Sequence, residues 1–266
     1  MMQHLPILQV LLPLLGAPLA ALLRGRDMAW GLALLLTGAA FLISIILFSQ
    51  QQMTGETLVY DLGGWPAPIG IVYVIDAASA LVLPVISGIA FVATIAARRL
   101  VEAEIDARDH ALFYAAWLLT IAGMLGQVTT GDAFNIFVFL EISSLSAYAL
   151  VAMGAGRDRR ALPAAFNYLI LGTVGATFYV IGLGLLYMLT GTLNLMDLSE
   201  RLADVQSTRA AFTALAFIAL GLFLKMALFP LHFWLVPAYA HAPSAVSALM
   251  AATATKVSVY VLIRLV

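Results

Sequence analysis

The chain has 266 residues, 63% hydrophobic and 10% charged, with a formal net charge of -1 and a mean hydropathy of +1.03. A soluble domain carries about a quarter charged residues, so this composition excludes one and reads as an integral membrane protein. The near-neutral charge offers no basic surface to nucleic acid, and the lack of cysteine removes disulfides, thiolate metal sites and cysteine nucleophiles while leaving the compartment open.

In chain order, apolar runs fall at 5–23, 28–48, 69–96, 111–129, 133–153, 164–190, 210–229 and 244–266. A hydrocarbon core about 30 Å thick takes roughly 20 helical residues, so each run is long enough to cross it. The expected fold is an all-α polytopic bundle of about eight transmembrane helices. The first run lacks a basic leading region and a small-residue cleavage site, and is expected to stay as a span. The longest gaps, 49–68 and 191–209, carry turn formers such as Gly63, Gly64 and Pro66. Arg24, Arg26, Arg98, Arg99, Arg108, Arg157, Arg159 and Arg160 occupy one alternate set of loops; Arg201, Arg209 and Arg264 occupy the other. Arginine-rich loops stay cytoplasmic, so a multi-pass protein of the cell membrane with its N-terminus outside the cytoplasm is expected. Trp30, Trp65 and Trp234 fall near span ends, where aromatic residues meet the lipid headgroups.

The only two lysines, Lys225 and Lys256, lie inside spans, roughly 18–22 Å from their helix starts at 1.5 Å per residue. A lysine at a helix centre costs on the order of 3 kcal/mol, so such residues face a cavity, find a partner and serve function; a structural ion pair is the competing reading. Glu141, in IFVFLEISSLSAYAL, is the natural counter-ion. Burial disfavours both charges and close pairing favours both, so making or breaking a Glu–Lys contact can move a proton. Arginine cannot titrate in this way, which gives the placing of lysine inside and arginine outside a chemical reason.

Asp76 weighs equally as an intramembrane acid and as a residue near the outer interface. Asp132 reads as the cap of the fifth helix. Ser143, Ser144 and Ser146 read first as helix-contact residues and second as a water lining. The glycines of GLGLLY at 182–187 suit close helix packing and lack phosphate-loop spacing.

After Lys225, Pro230, Pro237 and Pro243 each remove a helical hydrogen bond, so a broken helix is expected. Backbone freed at membrane depth is tolerated where it lines protein or a water-filled cavity, and discontinuous helices mark ion sites in transporters. His232, seven residues past Lys225, reads as a proton carrier between Lys225 and Lys256, ahead of a neutral histidine bonded to a freed carbonyl. His241 is equally a hydrogen-bonded loop residue and an accessory group. No HExxH or other metal spacing, no GxSxG elbow and no haem or quinone motif occurs, so neither metal nor cofactor is expected. The buried series Glu141, Lys225, His232, Lys256 fits proton translocation.

Three blocks carry a family resemblance: LGGWPAPIGIVYVIDAASAL at 62–81, TGDAFNIFVFLEISSLSAYAL at 130–150, and LKMALFPLHFWLVPAYAHAPSAVSALMAATATKVSVYVLIR at 224–264. With these the chain resembles the antiporter-like subunits shared by Mrp-type cation/proton antiporters, respiratory complex I and membrane-bound hydrogenases. Its GDAFNIFVFLE wording is most similar to the D-type member of the Mrp antiporters. The resemblance implies that Glu141 is the essential acid of the fifth helix, Lys225 the lysine of the broken seventh, Lys256 that of the eighth and His232 the histidine after the break. It also implies a first inverted repeat, with three N-terminal helices over 1–110 and a five-helix half-channel over 111–266. Family members have about fourteen helices, so a second repeat is expected to be absent here, supplied by a partner or by further chain.

The expected function is that of a proton-translocating subunit in a multisubunit sodium/proton antiporter. Its partners would be other membrane subunits, protons, sodium and the lipid bilayer. The alternatives are a proton-pumping subunit of an NADH:quinone oxidoreductase or hydrogenase, and a structural scaffold whose buried charges only fix helix register. By itself the chain reads as a transporter subunit, and as a redox-driven translocase only within a complex.

Overall fold

The computed structural model of the protein describes residues 2–23 and 25–265. Arg24, counted above with the arginine-rich loops, and Val266, the end of the last run, lie outside the described residues. Long helices dominate: α1 Leu5–Leu22, α2 Arg26–Thr54, α3 Ala77–Glu104, α4 His110–Thr129, α5 Ala133–Ala152 and α6 Ala161–Thr190, followed by α7 Leu195–Val205, α8 Arg209–Lys225, α9 Leu235–His241 and α10 Ser244–Leu265. Among the described residues seven helices are long and apolar enough to cross a membrane. The eighth expected span, 210–229, corresponds to α8, whose 17 residues stop at Lys225; a full crossing needs α8, the break and α9 together.

Small residues set the helix separations. A Cβ on Gly182 of α6 would lie 2.5 Å from the Ala214 carbonyl oxygen and 2.9 Å from the Ile218 amide nitrogen of α8. Gly182 of GLGLLY is thus a packing residue, as expected, whereas a Cβ on Gly184 would meet nothing within 4 Å. Between α4 and α5, a Cβ on Gly123 would lie 2.6 Å from the Ser143 nitrogen. Helices α2 and α3 are joined inside the apolar bundle by a Ser44–Ser87 hydroxyl contact of 2.7 Å.

Each end of the bundle is tied differently. At one end Leu58–Asp61 (β1) and Val72–Ile75 (β2) pair antiparallel, Leu58 opposite Ile75 and Asp61 opposite Val72. The Gly131 N–H donates to the Val72 carbonyl at 2.8 Å and the Leu195 N–H to that of Gly131 at 2.9 Å, so the hairpin closes over the starts of α5 and α7. Residues 72–75 are therefore a buried strand rather than the first turn of the third span. β-Branched Val72, Val74 and Ile75 carry that signal, and the length of the apolar run masks it. Asp76 accordingly caps α3: its carboxylate accepts from the Ser79 N–H at 2.7 Å while Ser79 Oγ accepts from the Asp76 N–H at 2.8 Å. Asp132 caps α5 as expected, accepting from the Asn135 N–H at 2.7 Å. The gap at 191–209 holds α7, whose Asn194 side chain accepts from Met196 and Asp197; its Leu195, Leu198, Leu202 and Val205 follow helical spacing.

The other end gathers the arginines. Arg157 pairs with Glu104 at 2.8 Å, and Glu104 accepts from the Ser244 N–H at 2.7 Å at the start of α10. Asp158 accepts from Arg160 and lies 3.1 Å from His241 Nδ1. Hydrogen bonding to Arg160 holds the Asp158 carboxyl down to about 2. His241 is hydrogen-bonded there as the last residue of α9 rather than in a loop.

Candidate functional site: a buried lysine at a broken helix

Helix α8 ends immediately after Lys225. Ala227 takes φ +55°, the Ala227 N–H donates to the Leu224 carbonyl at 3.2 Å and the Leu228 N–H to that of Phe223 at 2.9 Å. This is the left-handed closure that glycine usually provides. An alanine gives no warning of it in the sequence, and it comes three residues before Pro230. Of the three prolines marked as breaks, Pro230 lies within the break and Pro243 immediately before α10. Pro237 instead lies in the first turn of α9, where its missing N–H costs no helical bond. Trp234 donates from Nε1 to the freed Leu224 carbonyl at 2.8 Å and is 2% exposed, so it closes the break rather than marking a lipid interface.

Lys225 is 7% exposed and sits at the negative end of the α8 dipole, about 24 Å along the helix at 1.5 Å per residue. Its Nζ donates to Ser144 Oγ at 2.7 Å and Tyr148 Oη at 3.4 Å, and lies 3.5 Å from Glu141 Oε1. Glu141, Ser144 and Tyr148 are three and four residues apart on α5, which puts all three on one face. A Cβ on Gly172 of α6 would overlap the Tyr148 hydroxyl, so that glycine makes room for the phenol. Tyr148 meets Tyr168 edge-on at 4.4 Å, and Tyr168 stacks on Trp234 at 4.2 Å. An aromatic wall therefore links the lysine to the break.

Sequence reasoning placed Glu141 and Lys225 together, and the structure brings them together. It ranked Ser144 first as a packing residue, yet Ser144 is the nearest partner of Lys225. Its position three residues after Glu141 was the available signal. His232 stands between the rings of Phe229 and Phe233, at 5.5 and 5.2 Å, with Nδ1 buried and without a hydrogen-bond partner among the described residues. Lys256 is exposed on α10 and donates to the Ala251 carbonyl of its own helix. Neither makes a hydrogen bond to the Glu141–Lys225 pair among the described residues. Asp76 serves its helix cap, 3.9 Å from Arg264.

Behind Lys225 a cavity of about 30 Å³ lies between α4, α5, α6 and α10, with Gln127, Ser143, Ser144 and Ser258 among its walls. A wider open recess, about 690 Å³, lies at the arginine-rich end beside Glu104, Arg108 and Arg157, away from the lysine. The larger volume belongs to the surface, and Lys225 lines the smaller one.

Residues 130–266, just over half of the chain, match the family described as NADH:quinone oxidoreductase/Mrp antiporter, TM. The chain is 44% identical over its whole length to the N-type chain of the NADH-quinone oxidoreductase of Desulforudis audaxviator, covering 52% of that protein. It is 35% identical over 99% of its length to the D-type chain of the probable K(+)/H(+) antiporter of Rhizobium meliloti, covering 49% of it. Among solved structures, a chain of the membrane-bound sulfane sulfur reductase, an archaeal respiratory membrane complex, superposes with a TM-score of 0.90 at 32% identity, over 97% of this chain and 52% of that one. The chain spans about half the length of the curated relatives it matches. An antiporter-like polytopic helical fold, a lysine at a helix break and these matches agree: the chain belongs to the NADH:quinone oxidoreductase/Mrp antiporter transmembrane family.

Proposed function

We propose that the chain is a proton-translocating subunit of a multisubunit monovalent cation/proton antiporter in the cell membrane, with sodium as the exchanged cation and the N-terminus outside the cytoplasm. The observation that carries this reading is the Lys225 ammonium, 7% exposed within the bundle, held by a serine hydroxyl at 2.7 Å and by Glu141 at 3.5 Å. The long second contact leaves Glu141 free to tighten or release, and the cost of a charge on Lys225 changes as it does. Residues 111–266 form the half-channel in this reading, and α1 to α3 flank it. His232, whose Nδ1 has no partner among the described residues, and Lys256, exposed on a span, extend the relay beyond the pair.

In the complete complex, Glu141→Gln or Lys225→Ala is expected to lower cation-driven proton movement into inverted vesicles at least tenfold, with assembly unchanged. Transport at the wild-type rate would sink the proposal. A second reading, a proton-pumping subunit of a redox-driven complex, is favoured by the 44% identity to an NADH-quinone oxidoreductase chain. Both readings use the same buried pair. Co-purification with quinone-reducing or hydrogenase chains selects the second, and with small antiporter subunits the first.

A further inference from the structure

The cavity behind Lys225 has a second polar wall that the charged pair does not use. Gln127 of α4 is 3% exposed, and its Nε2 donates to Ser143 Oγ at 3.0 Å and to the Gly123 carbonyl at 3.2 Å. A buried amide left unbonded costs about 1–3 kcal/mol, so a glutamine here is tolerable only with such partners. Ser143 lies beside Ser144, the nearest partner of Lys225. Across the space, Met250, Ala254 and Ser258 line the wall on α10, spaced by four residues and hence on one helix face. Lys256 is two residues from both Ala254 and Ser258, about 200° around the helix, and is exposed on the other side. Ser258, 7% exposed, is therefore the α10 group that faces the cavity. A water needs roughly 10–15 Å³ of such space and two to four polar partners, so about 30 Å³ lined by three serines, a glutamine and a lysine has room for about two.

We infer that Gln127 is a positioning residue for proton movement, holding the Ser143 hydroxyl and the cavity waters in a hydrogen-bonded track that runs from Lys225 to Ser258. The amide itself carries no proton. Along the track each oxygen forms one O–H bond as it gives up another, so a proton entering from Lys225 is balanced by one leaving beside Ser258. His232 is absent from the walls of this cavity, and the track does not pass through it. The inference rests on the proton-translocating reading above.

The test uses the complete complex with four variants, Gln127→Met, Ser258→Ala, Ser258→Thr and Lys225→Ala, each read in two ways. Proton movement is expected to fall at least fivefold in Gln127→Met and Ser258→Ala, and to stay within twofold of wild type in Ser258→Thr, which keeps the hydroxyl. Hydroxyl-radical footprinting by water radiolysis is expected to oxidise Met124 and Met250, which both line the cavity. Their oxidation is expected to fall at least threefold in Gln127→Met. If Gln127→Met does not assemble, the Ser258 pair decides. Wild-type rates in Gln127→Met and Ser258→Ala with loss in Lys225→Ala overturn this inference alone, as does an unlabelled Met124 and Met250 in the wild type. Wild-type rates in Lys225→Ala overturn the underlying reading, and the track with it.

Discussion

Glu141→Leu alone is expected to cost about 3–5 kcal/mol of stability, and adding Lys225→Met is expected to recover most of that while recovering no proton movement. The first loss arises because the Lys225 side chain, 6% exposed, must either hold its charge without a carboxylate partner or give up its proton, with only Ser144 and Tyr148 left to bond it. The recovery arises because removing both charges leaves nothing to desolvate, and a methionine adapts to irregular space beside Tyr148 and the cavity. Thermal unfolding of the purified complex gives the stability order, and vesicle assays of the same samples give the flux. A scaffold whose charges merely set helix register would regain flux along with stability in the double variant, and that outcome separates structure from function at this pair.

Gly123→Val is expected to cost about 2–3 kcal/mol and to lower the yield of folded protein. A Cβ there would lie 2.6 Å from the Ser143 nitrogen and 2.7 Å from the Phe139 carbonyl oxygen. Backbone atoms cannot rotate away as a side-chain tip can, so α4 and α5 would have to separate. Gly123 lies one helical turn from Gln127, so the same separation stretches the 3.0 Å bond to Ser143. Gly184 provides the control. A Cβ at that position of α6 meets nothing within 4 Å, and Gly184→Ala should leave yield unchanged. Size-exclusion profiles of the two variants in detergent are the comparison, and equal yields would show that the α4–α5 approach is slack.

What could be read in advance follows the physics of each signal. Hydropathy located every long span because exclusion from water acts on whole segments of about 20 residues. Glu141 and Lys225 were legible because a charge in such a segment is costly and needs a partner. Residues 69–75 were misassigned for the same reason: an apolar strand and an apolar helix look alike inside a continuous run, and only the β-branched bias of Val72, Val74 and Ile75 distinguishes them. The end of α8 was placed at the prolines, whereas Ala227 turns the chain first, through a left-handed conformation that is ordinarily reserved for glycine. Ser144 ranked first as a packing residue, and Gln127 and Ser258 carried no signal, because lone hydroxyls and amides are common in membrane helices and only packing shows which of them meet.

The proton-translocating function proposed above requires Lys225 to release its proton, and Lys225→Arg tests that requirement most directly. A guanidinium keeps the positive charge and can still bond Glu141 and Ser144, but it stays protonated throughout the accessible pH range. Measured in the complete complex, this variant is expected to assemble at wild-type levels and to show proton movement at the background of Lys225→Ala. Proton movement at the wild-type rate would contradict the requirement, because a fixed charge would then serve as well as a titrating one.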